Sequence, residues 1–105
     1  MAEDAAVLNE AHLDRQTMHN EALKVEILSL FVTEADRLLN QVKEAKTSSA
    51  RGERVHALKG LARNVGAERL ALAAARTEER LKAEGCDLAP LEAAVQEVVR
   101  YLART

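Results

Sequence analysis

Apolar positions recur along most of this chain at three- and four-residue steps, the repeat of α-helices that bury one face. The longest run lies in residues 21–46, where Val25, Leu28, Val32, Ala35, Leu39 and Val42 form a stripe that Ile27, Phe31 and Leu38 widen. This spacing predicts a helix of about seven turns, with more apolar surface than one neighbour needs. Ahead of it, residues 13–18 carry a brief pattern and predict a short first helix, and Asn20 is a good N-cap for the long one. Thr47-Ser48-Ser49 interrupts the periodicity, and either serine can cap a helix over residues 49–65. Gly66 can end that helix in the left-handed conformation. Residues 67–84 place Leu70, Ala74, Thr77 and Leu81 on one stripe, with Gly85 positioned to close the segment. Asp87 then offers a cap and Pro90 suits a first turn, opening a helix over residues 88–104 that carries Leu91, Ala94, Val95, Val98, Val99 and Leu102.

Short connections force neighbouring helices to lie antiparallel. The expected architecture is therefore all-α: an up-and-down antiparallel four-helix bundle, with the short N-terminal helix across or beside one end, in one domain over residues 1–105. Composition narrows the alternatives. An apolar content of 48% is too high for a disordered chain, and four glycines and one proline are too few breakers for a sandwich or barrel. Phe31 and Tyr101 are the only aromatics, so Leu, Val, Ile and Ala must fill the core. A net charge of −2, with both signs interspersed, gives no basic footprint for nucleic acid. The acidic start lacks the basic-then-apolar pattern of an export signal, and no apolar run approaches the ~20 residues of a membrane span. A soluble, cytoplasmic monomer is the expectation. Cys86, the only cysteine, cannot form an intrachain disulfide and reads as a bystander thiol. His12 and His19 have no cysteine or carboxylate cluster at metal-ligand spacing, so no metal site is expected.

The chemistry concentrates in residues 55–66, VHALKGLARNVG. At ~100° per residue, Val55, Leu58, Ala62 and Val65 share one face, flanked by Leu61, while His56, Lys59, Gly60 and Arg63 fall on another. His56 is thus expected to point into solvent. A glycine inside a helix costs about 0.5–1 kcal/mol relative to alanine, so Gly60, one turn beyond the histidine, asks for a reason. Its missing side chain clears room for a partner to bring a phosphoryl group in line with a ring nitrogen. Lys59 and Arg63 have stems long enough to return cationic heads toward the same patch, where a phosphorylated side chain carries roughly −1.5 to −2 charges. An exposed imidazole supplies a neutral nucleophilic nitrogen near pH 7 without a dedicated base. Taken singly, each of these residues reads as ordinary helix surface; their common face is what singles them out.

His56-x-Leu58-Lys59-Gly60, followed by Gly66-Ala67 and Leu70, resembles the signature of the histidine-containing phosphotransfer family of multistep phosphorelays. The likeness extends to Leu13-Asp14-Arg15-Gln16-Thr17, to Phe31-Val32 and to Thr77-Glu78 with the basic residues before Gly85. The resemblance implies a four-helix bundle with His56 as phosphoacceptor, Lys59 near the phosphoryl oxygens, Gly60 as the clearance position and Gly66 at a tight helix junction. It also implies a polar side chain approaching from the next helix, for which Glu78 and Lys82 are the candidates. The implied partners are receiver domains of response regulators and a hybrid histidine kinase. No cofactor is implied on this chain, and the magnesium belongs to the receiver. Leu61 departs from the family, which often has Ser or Ala there. Surplus apolar residues at Leu13, Met18, Leu30 and Phe31 are either core or a docking patch. A helical module that binds a receiver or kinase without taking phosphate is the alternative, and a self-associating structural bundle is a third reading. An autonomous enzyme ranks last, because no paired carboxylates, nucleophile-and-base pair or phosphate-cradling glycine loop is present.

Overall fold

A computed structural model describes residues 5–82 and 86–104. Five helices follow in order: α1 (Glu10–Gln16), α2 (Glu21–Glu44), α3 (Ser48–Val65), α4 (Glu68–Arg80) and α5 (Ala89–Ala103). α2 packs on α3, α3 on α4, α4 on α5, and α5 returns to α2, which closes a four-helix bundle. None of the described helices is long and apolar enough to cross a membrane.

Local sequence explains most of the boundaries. Asn20 caps α2 by accepting from the Leu23 amide at 3.0 Å. The cap of α3 is Thr47, whose Oγ1 accepts from the Ala50 amide at 3.1 Å, rather than either of the serines that follow. Asp87 serves α5 from one residue before its cap, its Oδ1 accepting from the Ala89 amide at 2.9 Å. α1 begins three residues earlier than its apolar pattern indicates, because Asn9 caps it through a 3.1 Å bond from the His12 amide. Within the described residues α4 stops at Arg80; its expected end at residue 84 and the expected closing glycine, Gly85, lie outside them.

The core is one cluster, and each bundle helix contributes the face that periodicity selects. α3 buries Val55, Leu58, Ala62 and Val65, α4 buries Leu70, Ala71, Ala74 and Thr77, and α5 buries Leu91, Val95 and Val98. Thr77 satisfies its hydroxyl by donating to the Ala73 carbonyl at 2.8 Å, so it enters the core without an orphaned polar group. The long helix departs from its expected stripe. Its buried set is Phe31, Ala35, Leu38, Leu39 and Val42, whereas Val25 and Leu30 are each 64% exposed. Only the C-terminal part of α2 is a full core element; in its first turns Ile27 packs partly against the core while Leu23, Val25 and Leu30 stay exposed.

α1 lies across the end where α2 and α4 begin and α3 and α5 finish. Leu13 is completely buried beneath it. Lys24 of α2 bridges Glu10 at 3.1 Å and Asp14 at 2.9 Å, and the Tyr101 hydroxyl of α5 donates to Glu10 at 2.6 Å. These bonds hold the Glu10 carboxyl below its ordinary value, with Tyr101 the largest influence and Lys24 next. The segment before α1 is stitched to the α3–α4 corner: the Asn9 amide donates to the Gly66 carbonyl at 2.7 Å and the Arg69 amide to the Ala6 carbonyl at 2.9 Å.

Gly66 makes that corner. With φ at +85° it ends α3 in the left-handed region, and the Ala67 amide returns to the Ala62 carbonyl at 2.8 Å while the Gly66 amide reaches the Arg63 carbonyl at 3.3 Å. The paired bonds form a Schellman motif, which satisfies carbonyls that a helix end otherwise leaves open.

Candidate functional site

His56 stands on the outer face of α3, its side chain 70% exposed. The exposure follows from the register that buries Val55 and Leu58 on either side of it. Its Nδ1 lies 2.9 Å from Oε2 of Glu78, which reaches over from α4. The other oxygen of Glu78 receives the ammonium of Lys59, one turn along α3. One carboxylate therefore grips both the imidazole and the lysine. Lys59 is only 16% exposed at its side chain and Glu78 26%, so the pair is better shielded from water than an ordinary surface ion pair.

The electrostatics decide the state of the ring. The Lys59 ammonium, first, and His56, to a lesser degree, hold the Glu78 carboxyl below its ordinary value against the opposing effect of burial. Glu78 is thus an anion at neutral pH and can only accept. The Nδ1 of His56 must then carry the proton it donates, which leaves the lone pair of the neutral ring on Nε2. An outward-facing ring with Nδ1–H tied back to a carboxylate presents Nε2 as a nucleophile.

A depressed carboxyl contributes stability above the unfolded value and loses it as pH falls through the folded one. Unfolding measured in urea at a series of pH values should therefore show Glu78→Gln less stable than wild type above about pH 4.5, the ordinary value of this group. The difference should close as pH drops below that value. A gap that stays flat or widens in acid would contradict the arrangement.

Gly60 lies one turn beyond His56 and is exposed, and a Cβ built on it would meet nothing within 4 Å. The fold itself leaves that space open. Lys82 stands in the same groove as Lys59 and Glu78, a depression of about 780 Å³, with its ammonium 3.6 Å from Glu79. Arg63, expected beside Lys59, instead lines a separate cleft toward the α3–α4 corner with Gly66, Asn9 and His12. Two helical turns, about 10 Å of rise, separate it from the histidine.

The expected docking residues divide. Leu13 and Phe31 are at most 1% exposed and belong to the interior, because α1 turns the former inward and the bundle seam encloses the latter; neither can meet a partner. Met18 is 83% exposed and Leu30 64%. Met18 and His19 both adopt positive φ, at 52° and 58°, in the turn that joins α1 to α2. Such conformations are uncommon outside glycine, asparagine and aspartate, and this one sets Met18 at the tip of the turn. Sequence reasoning passed over Asn9 and Arg76, which share the cleft with Arg63; their approach is tertiary, and the chain signals only the cap at Asn9.

Among the described residues no group of three or more His, Cys, Asp or Glu is placed to hold a metal ion. A family model described as Hpt domain matches residues 26–105. No curated protein and no solved structure matches the chain.

Proposed function

The chain belongs to the Hpt domain family, whose members serve histidine phosphotransfer in phosphorelays with two-component receiver and kinase proteins, and from this premise we propose that His56 is the phosphoacceptor, loaded by the aspartate of one receiver domain and unloaded onto that of another. The observation that carries this reading is the Glu78 contact, which leaves Nε2 as the free nucleophile on an exposed ring.

In loading, the Nε2 lone pair attacks the phosphorus of the receiver's acyl phosphate. The N–P bond forms, the P–O bond breaks, and the aspartate leaves as a carboxylate that needs no proton. The ring keeps its Nδ1 proton and becomes a phosphoimidazolium, whose positive charge faces Glu78. Unloading reverses each bond change, with the neutral Nδ1–H imidazole as leaving group. Lys59, within reach of the same patch, can turn toward the phosphoryl oxygens once they carry charge. Magnesium and the aspartate site belong to the receiver, so this chain acts as a carrier and not as an autonomous catalyst. Met18 and Leu30 offer apolar surface to the docking receiver, alongside the exposed Leu23 and Val25 of α2.

The test is incubation of the full chain with a receiver domain carrying labelled aspartyl phosphate. Label that moves to this chain and is lost in acid but kept in base supports phosphohistidine. Tight binding without label would select the phosphate-independent docking module instead.

Gly60 supplies a separate check. Because its Cβ position is open within the molecule, Gly60→Ala should stabilise the isolated protein by about 0.5–1 kcal/mol. Gly60→Leu should retain the helical signal yet slow transfer by about tenfold or more, since bulk there meets only an incoming partner. An unchanged transfer rate in Gly60→Leu would remove the clearance role.

A further inference from the structure

A second cleft, of about 630 Å³, opens on the α3–α4 face near the corner. Arg63 and Arg76 stand over it, and Ala71, Leu72 and Ala75 contribute an apolar lining from α4. Neither guanidinium has an ion-pair or hydrogen-bond partner among the described residues. Neighbouring cations are already engaged: Arg69 with Glu97 at 3.2 Å, and Lys59 with Glu78.

One carboxylate lines the cleft, and its bonding is already taken. Glu68 accepts from the Ala6 amide at 3.0 Å and from the Asn9 side-chain amide at 2.8 Å. These two bonds, the backbone one the larger, hold its carboxyl below the ordinary value. Two arginines against one satisfied carboxylate leave a net positive recess. Its volume falls within the ~300–1,000 Å³ typical of small-ligand sites. Guanidinium groups match the planar oxygens of a carboxylate or phosphate better than an ammonium does, and the alanines leave room for a hydrocarbon body beside them.

We propose that this cleft binds a small organic anion, its carboxylate or phosphate on Arg63 and Arg76 and its aliphatic portion over Ala71, Leu72 and Ala75. Ala75 also lines the Lys59–Glu78 groove, so the occupant sits next to the phosphoryl site. Arg63 thereby acquires a role distinct from holding phosphate on His56.

The experiment is an amide NMR titration of the full chain with sodium octanoate, octyl phosphate and sodium acetate at fixed ionic strength. Octanoate and octyl phosphate should saturate, with shifts centred on Arg63 and residues 71–76. Acetate, which lacks the hydrocarbon body, should bind at least about fivefold more weakly, and Arg63→Gln/Arg76→Gln should weaken octanoate about tenfold or more at an unchanged Tm. Equal responses to octanoate and acetate, linear shifts without saturation to ~20 mM, or shifts centred elsewhere would overturn the proposal. Should the double variant lose its fold, the wild-type shift map and the octanoate-to-acetate ratio still decide the matter. His56→Gln should bind octanoate as wild type does, so loss of the phosphotransfer reading and loss of this one are separately visible.

Discussion

Replacing His56 with glutamine is expected to bring phosphoryl uptake from a labelled receiver down to background while the bundle stays folded. Glutamine approximates the size of imidazole and can still hydrogen-bond to Glu78, but its amide nitrogen has no available lone pair, so the covalent path is removed rather than slowed. The structural effect should be small. His56 is 70% exposed and its one bond, to Glu78, lies at the surface; exposed contacts of this kind contribute about 0–1 kcal/mol. For a chain of this length 1 kcal/mol moves Tm by about 4–8 °C, so the variant should melt within that interval of wild type. Labelling of the variant at the wild-type rate would refute His56 as acceptor. A large loss of Tm would mean that the ring supports the fold, contrary to its position.

The second large effect concerns stability. Gly66→Ala is expected to destabilise the protein by about 2–4 kcal/mol, the sum of a left-handed residue with a Cβ, at about 1–2 kcal/mol, and a crowded contact of similar size. At φ +85° the added carbon would stand 3.0 Å from the Asn9 carbonyl oxygen, 3.1 Å from Cδ2 of His12 and 3.2 Å from Cβ of Asn9. The nearest atom is backbone, and it belongs to a segment tied to Gly66 by the 2.7 Å bond from the Asn9 amide. Relief therefore means lifting the N-terminal segment off the corner. The corresponding fall in Tm is about 8–32 °C, measurable by thermal unfolding. A variant that melts within a few degrees of wild type would show that the corner yields easily.

The face of α3 was legible from periodicity alone, because charged and apolar residues there separate cleanly and each buried position has a helix opposite it. α2 was not. Its N-terminal half carries more apolar residues than its C-terminal half, eight in residues 21–32 against four in 33–44, and periodicity counts such residues without knowing whether a neighbour exists to cover them. Hence Val25 and Leu30 face water, while Phe31, read as a widening of the stripe, lies in the core. The first turn of α1 is not visible in the periodicity because the residues just after Asn9 have no apolar repeat; it is fixed by a side-chain cap and by contacts with Lys24 and Tyr101, distant in sequence. The same limit applies at the site. Helical angle places Lys59 and Arg63 on the histidine's side, but rise along the axis separates them, and only the packing of α4 reveals that Lys59 shares Glu78 with the imidazole while Arg63 joins Arg76. Glu78 was nameable as a candidate from the resemblance; that it contacts Nδ1, and so selects the reactive nitrogen, required coordinates.

The shared grip of Glu78 bears on how long cargo would stay aboard. On the phosphotransfer reading, one ammonium, Lys59, would have to serve two anionic claimants at once, the glutamate it already contacts and a newly arrived dianion. Residual repulsion between the incoming phosphoryl group and Glu78 would raise the energy of the loaded form. On that reading the site would favour short residence and onward delivery over storage.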